Sequence, residues 1–215
     1  TGAAAYDVER ADMADGPWTT VGKDVSDANF QYRPLFSDDS ATPGQAAYYR
    51  VIARNSAGES APSNTVGPVT AVHRTLVDEC VDLTQLTLHT GDVGLRSDNV
   101  RRTQEDSHRI ALAPGAAVVY RVNAPIRAWR VYAFAESPNT ELRFTGSADG
   151  STFAPLTASH QAFSSGRGDY GYLVPVLFQG TSPEGDQTQL RIELPATAAG
   201  SEPLQISRVE IDYGG

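Results

Sequence analysis

Cysteine is almost missing from this chain: Cys80 is the single one among 215 residues. One thiol makes no intrachain disulfide and no cysteine-based metal site. Lysine is equally scarce. Lys23 is the only one, so the other basic residues are all arginine. Basic residues number 17 against 26 acids, for a net charge of −9 and a pI near 4.8. They form no basic stripe. Nucleic acid is therefore excluded as a partner, because binding phosphates needs clustered cations. No apolar run approaches the roughly 20 residues that span a bilayer, so no membrane partner is expected. The opening residues do not read as a signal peptide. Helical periodicity is nearly absent. So are a P-loop, a nucleotide-type glycine fingerprint, Gly-x-Ser-x-Gly and His-Glu-x-x-His. His73, His89, His108 and His160 are scattered, without ligand spacing.

What is present is a series of short alternating or apolar runs. Gly, Pro, Asn, Asp and Ser clusters separate them, which predicts an all-β chain of sandwich type. The first part holds "AAYDVERA" (Ala4–Ala11), "WTTVG" (Trp18–Gly22), "FQYRPLF" (Phe30–Phe36), "AYYRVIARN" (Ala47–Asn55) and "SNTVGPVTAV" (Ser63–Val72). A short connector follows. From Leu76 the runs are "LVDECVDLTQLTLHT" (Leu76–Thr90), "HRIALAP" (His108–Pro114), "AVVYRV" (Ala117–Val122) and "IRAWRVYAFA" (Ile126–Ala135). "ELRFTGSADGSTFAPLT" (Glu141–Thr157), "YGYLVPVLFQG" (Tyr170–Gly180), "QLRIELP" (Gln189–Pro195) and "LQISRVEIDY" (Leu204–Tyr213) complete them. Eight strands in the second part fit a jelly-roll sandwich. Cys80 lies in "VDECVDL", which alternates like a strand, and reads as a buried structural thiol.

"PGQAAYYRVIARNSAGESAPSNTV" (Pro43–Val66) resembles the last two strands of a fibronectin type III domain, and "YDVERADMADGPWTTV" (Tyr6–Val21) its third strand and following hairpin. The resemblance implies a partial fibronectin type III sandwich over residues 1–70. Its first two strands are missing, because the chain opens at "TGAAAYDVER" where the family enters its third strand. Half a sandwich leaves apolar side chains and strand edges uncovered. An upstream polypeptide is therefore the expected source of the missing strands. The family's corner tyrosine is replaced here by Ala47, so its hydrogen bond is lost or passes to Tyr48 or Tyr49.

"LRFTGSADGSTFAPL" (Leu142–Leu156), "QLRIELP" and the closing "ISRVEIDY" (Ile206–Tyr213) resemble the galactose-binding-like, or discoidin-like, superfamily. This resemblance covers residues 76–215 and implies a second sandwich. Asp149-Gly150 supplies the positive φ that a tight hairpin needs.

Together the two resemblances imply a non-catalytic accessory region of a secreted, microbial carbohydrate-active enzyme, a glycoside hydrolase or polysaccharide lyase. Its role would be to bind polysaccharide or to support the catalytic domain. The alternative is a structural or protein-interaction module that touches no glycan. A catalytic carboxylate pair is not excluded by sequence, since two acids far apart in the chain can meet in space. The acids sit mainly in turns and hairpins, however, and no catalytic site is expected.

Two stretches are candidates for sugar contact. In "RAWRVYAF", strand alternation puts Trp129, Val131 and Ala133 on one face and Arg130, Tyr132 and Phe134 on the other. The Arg130/Tyr132 face is then either a wet binding surface or a second lining of the sandwich. "GRGDYGY" (Gly166–Tyr172) combines glycines that let backbone approach a ligand with Arg167, Asp169, Tyr170 and Tyr172. Its tyrosines either stack on sugar rings or start a strand and pack inward. The Arg-Gly-Asp tripeptide within it also occurs in cell-adhesion ligands. All three residue types are common in this chain, so the match carries little weight.

The long polar stretch "DVGLRSDNVRRTQEDSHR" (Asp92–Arg109) invites a calcium ion. Many members of the resembled superfamily hold a structural one. Asp98, Asp106, Glu210 and Asp212 are the candidate ligands, with solvated charge as the alternative.

Overall fold

The structure is a computed structural model that describes residues 3–26, 36–164, 171–182, 185–198 and 202–214. It divides into unit 1, Thr1–Arg74, and unit 2, Thr75–Gly214. The described regular structure is almost entirely antiparallel strand, with one 3-10 turn at Val100–Thr103. Among the described residues no helix is long and apolar enough to cross a membrane.

Unit 1 contains β1 (Ala5–Ala11), β2 (Thr19–Ser26), β3 (Ala46–Asn55), β4 (Gly58–Glu59) and β5 (Val66–Thr70). β1 pairs with β2 and β3, and β3 also pairs with β4 and β5. The alternation in β1 sorts its side chains by face. Asp7 and Glu9 meet Arg54 (3.4 Å) and Arg50 (2.6 Å) of β3, and Arg50 stacks 4.2 Å over the Trp18 ring. The other face carries Tyr6 and Val8. Among the described residues no second sheet lies over it. The Phe30–Phe36 run, apart from Phe36, lies outside the described residues. Ala47 is buried, and the Tyr49 hydroxyl donates to Asp38 at 2.9 Å.

Unit 2 contains β6 (Arg74–Asp78, all but its first residue), β7 (Leu86–Thr90), β8 (Val93–Arg96), β9 (Arg109–Leu112), β10 (Ala117–Arg121) and β11 (Ile126–Ala135). It continues with β12 (Arg143–Ser147), β13 (Ala154–Leu156), β14 (Ala158–Ala162), β15 (Val174–Thr181), β16 (Gln189–Glu193) and β17 (Leu204–Tyr213). One sheet has the order β13-β12-β16-β10-β7. The other runs β14-β15-β11-β17-β9-β8, with β6 also on β17. Val118, Tyr120, Phe144, Leu190 and Ile192 from the first sheet share a core with Trp129, Val131, Phe178, Val209 and Ile211 from the second. The unit is therefore a β-sandwich. Phe144 links the layers, 5.9 Å from Trp129 and 6.1 Å from Phe178 between ring centroids. Each fully buried apolar side chain contributes about 1.5–3 kcal/mol.

More strands form than the eight runs anticipate. The Leu76–Thr90 run splits into β6 and β7 because Cys80 adopts φ 56 and breaks it. Cys80 is fully buried, but in a turn. Its N–H donates to Asp78 Oδ1, and the Tyr120 hydroxyl donates to Asp78 Oδ2, both at 2.8 Å.

Candidate functional site

The most structured polar feature of unit 2 is a cleft of about 350 Å³ beside the connection from β8 to β9. Its backbone is unusual. Asn99, Gln104 and Glu105 all have positive φ, at 51, 53 and 66. Non-glycine residues rarely hold that conformation unless their surroundings impose it. Here the neighbouring Arg109 is 1% exposed and acts as a clamp. Its guanidinium donates to the carbonyls of Asp98 and Asp106, near the two ends of the connection, and to Gln205 Oε1 at 2.7 Å. The Asp106 carboxylate is buried. It accepts from the Ser207 hydroxyl on β17 and from the His108 N–H.

Arg102 carries this order across the cleft. Its Nε donates to the Gly171 carbonyl at 2.6 Å, and its own carbonyl accepts the Leu173 N–H at 2.9 Å. One terminal nitrogen reaches both Glu202 oxygens, at 2.8 and 2.9 Å. Arg96, 3.7 Å from Asp98, joins the lining with Asn99, Glu202 and Gln205. The result is a set of donors and acceptors on tethered backbone, suited to hydroxyl-rich or charged ligands.

The sequence candidates fall elsewhere in part. Arg130 belongs to a charge ladder on the outer face of the larger sheet. Its Nε meets Glu210 at 2.5 Å, and its terminal nitrogens meet Asp212 at 3.0 and 3.2 Å. Burial works against its charge, but the hydrogen bonds to Asp212 and Glu210 prevail and raise its pKa. Arg208 is 1% exposed and also pairs with Glu210, at 2.8 Å, and with Glu79.

Tyr132 departs from the expectation of a wet aromatic surface, because it is buried, with 3% exposed. On its outer face it stands in register between Leu177 of β15 and Arg208 of β17. The ring is out of reach of solvent, so it offers no open platform, although Arg130 on the same face is partly exposed. Tyr172 is half-buried, and Arg167, Asp169 and Tyr170 lie outside the described residues.

The four calcium candidates do not converge. Asp106 is engaged by Ser207, Glu210 by two arginines, Asp212 by Arg130 and Thr75, and Asp98 by Arg96 and Asn99. Among the described residues no three His, Cys, Asp or Glu side chains group to hold a metal ion. β17 has spent its acids on arginine. Arg96, Asn99, Arg102 and Glu202 were not singled out by sequence. The only available signal was the length and polarity of the Asp92–Arg109 stretch.

Unit 1 has its own depression, about 720 Å³, on the Tyr6/Val8 face of its sheet. Tyr6, Val8, Phe36, Val51 and Val69 give it an apolar lining. At its polar end Asp38 accepts from Arg10 (2.7 Å) and Tyr49 (2.9 Å). Burial opposes the Asp38 charge, yet hydrogen bonds from Ser40, Tyr49 and Arg10 hold its pKa below the usual range.

No protein-family profile matches the chain, and no curated protein matches its sequence. Among solved structures, one similar chain holds the CBM51-2 (in complex with GlcNAc) and INT domains of ZmpB from Clostridium perfringens. It shares 8% identity over 91% of this chain and 43% of that one, with a TM-score of 0.34. An exo-beta-1,3-galactanase from Phanerochaete chrysosporium, solved with beta-1,3-galactotriose, shares 16% identity over 99% of this chain and 51% of its own, with a TM-score of 0.35. The chain thus spans about half or less of either. A structure described as concerning carbohydrate-binding modules of the beta-sandwich superfamily gives 13% identity and a TM-score of 0.21, over 99% and 80% of the two chains. At these TM-scores the likenesses carry no argument about what unit 2 binds.

Proposed function

We propose that unit 2 binds polysaccharide, and that the chain is a non-catalytic accessory region of a secreted glycoside hydrolase or polysaccharide lyase. The observation that carries this reading is the tethered polar cleft. Arg96, Asp98, Asn99, Arg102, Glu202 and Gln205 offer donors and acceptors in one open depression. Arg109 clamps the backbone that bears four of its lining residues, so a ligand would pay little to order it. Single-site affinity would be weak. It would serve by holding a tethered enzyme near its substrate. The resemblance to galactose-binding-like sandwiches points the same way.

Affinity electrophoresis through gels containing a panel of soluble polysaccharides tests this. Retardation by at least one glycan, reduced by the Arg96→Ala/Arg102→Ala double substitution, is expected. Retardation by none, or by some with the double variant unaffected, refutes it.

Unit 1 favours a second role, as a spacer completed by an upstream polypeptide in the manner of a fibronectin type III module. Its apolar face, with Tyr6, Val8 and Val51, supports this. A sheet with one apolar face is stable only when that face is buried. Hydrogen exchange compared between this chain and one extended upstream is the check. Equal protection of β1 and β3 in both would refute it.

A further inference from the structure

The cleft of unit 2 runs against the charge of the chain. The protein carries a net charge of −9, yet the cleft lining holds three guanidinium groups, Arg96, Arg102 and Arg109, against two carboxylates, Asp98 and Glu202. Arg101 stands exposed beside Arg102 on the same 3-10 turn. This local excess sits where the backbone is most firmly tethered.

Resting on the glycan-binding reading above, we propose that the ligand is an acidic glycan. A uronate carboxylate would dock on Arg102, in the place that Glu202 fills in the free protein. Two features of Arg102 point to this. First, it already holds a carboxylate, since both Glu202 oxygens lie within 2.9 Å of one of its nitrogens. Arg102 and Glu202 are 34% and 35% exposed, so solvent screens the pair and lowers the cost of parting it. Second, Arg102 does not depend on Glu202 for its position. Its Nε is bound to the Gly171 carbonyl, and its backbone carbonyl to the Leu173 N–H. The guanidinium therefore stays in place when Glu202 swings away. A planar guanidinium recognises a planar carboxylate with directed, charge-assisted hydrogen bonds, which a neutral hydroxyl does not match. Arg96 would supply a second positive group. Asn99 and Gln205 would serve the ring hydroxyls. The remainder of the strongly acidic molecule repels polyanions, so binding would be confined to this cleft.

The test is binding of the whole chain to polygalacturonate, to the same polymer fully methyl-esterified, to a neutral galactan and to dextran sulfate. The expected result is affinity for polygalacturonate at least about tenfold above that for its methyl ester, the difference made by one charge-assisted contact. Raising sodium chloride from about 50 to 500 mM should weaken it severalfold, because partly exposed charges are screened. Arg102→Ala should lose about tenfold or more. Arg102→Lys, which keeps the charge but loses the planar group and its Nε–H anchor on the Gly171 carbonyl, should lose nearly as much. Glu202→Gln, which removes the carboxylate that competes for Arg102, should bind severalfold more tightly. The urea midpoint of each variant shows whether the fold is retained, and Glu202→Gln tests the idea without removing Arg102. Equal binding to the methyl ester or galactan overturns the acidic-glycan inference and leaves the glycan-binding reading standing. Equal binding to dextran sulfate, with Arg102→Lys unaffected, reveals plain ion exchange and also overturns it. Binding to no glycan overturns both.

Discussion

The Arg208–Glu210–Arg130 ladder in unit 2 makes a demanding prediction, because its central carboxylate is removed from water. The Glu210 side chain is 2% exposed and that of Arg208 1%, while Arg130 is 32% exposed. Glu210→Gln keeps the shape and removes the charge. The new amide turns an NH2 toward one of two guanidinium groups that themselves only donate. Arg208 then keeps Glu79 as its acidic partner, on a side chain 46% exposed, and Arg130 keeps Asp212. Removing one member of a buried pair costs about 3–5 kcal/mol. The surviving partners and the partial exposure of Arg130 place this case near the lower end, about 3 kcal/mol. For a unit of this size that corresponds to a fall in Tm of about 6–12 °C. The assay is urea unfolding followed by Trp129, which lies in the unit 2 core, in a Trp18→Phe background so that Trp129 is the sole reporter. Glu193→Gln is the control. Its partners Arg143 and Arg191 are 60% and 30% exposed, and neither is buried, so the change should cost no more than about 1 kcal/mol. A loss at Glu210 below about 1 kcal/mol, or equal to the control, would refute the view that this ladder is a buried electrostatic unit.

Two further outcomes follow from the core of unit 2. Burial raises the Asp78 carboxyl above its ordinary pKa, against the pull of hydrogen bonds from the Cys80 N–H and the Tyr120 hydroxyl. The folded state thus holds this proton more tightly than the unfolded state. The group's contribution is most favourable at or below the ordinary carboxylate range, near pH 4, and declines as pH rises through the raised value. The unfolding free energy of the native chain minus that of Asp78→Asn should therefore fall between pH 4 and pH 7, and a difference that is flat or rising would contradict the assignment. At Gly180 a side chain would collide with the Trp129 ring and the Thr157 carbonyl. Gly180→Ala should cost at least about 1–3 kcal/mol by overpacking, read as a lower urea midpoint, and an unchanged midpoint would show that β15 shifts freely there.

How much was legible in sequence differs from element to element. The runs Ile126–Ala135 and Leu204–Tyr213 coincide with β11 and β17 residue for residue, because both are long and strongly β-forming. Gly150 adopts φ 78 at the expected Asp-Gly turn. The short strands β8 and β14 escaped notice. β14 reads ASHQA and is mostly exposed, so its pairing with β15 comes from position at a sheet edge rather than from periodicity. Alternation put Trp129 and Tyr132 on opposite faces, but not which of those faces water reaches.

The sequence by itself therefore determined an all-β chain, the course of its longest strands and the division of β11 into two faces. These follow from local period-2 patterning and turn chemistry, which act between neighbours in the chain. Only the tertiary structure decided that Tyr132 on the outer face of β11 is buried, that Glu210 and Asp212 serve arginines, and that the polar cleft exists. Its walls come from residues 96–109, Leu173 and 202–205. Arg109 of β9 meets Gln205 and Arg102 meets Glu202 across 96 and 100 residues of chain. Contacts at that separation depend on how two sheets stack and where a long connection folds back, and no local pattern encodes either.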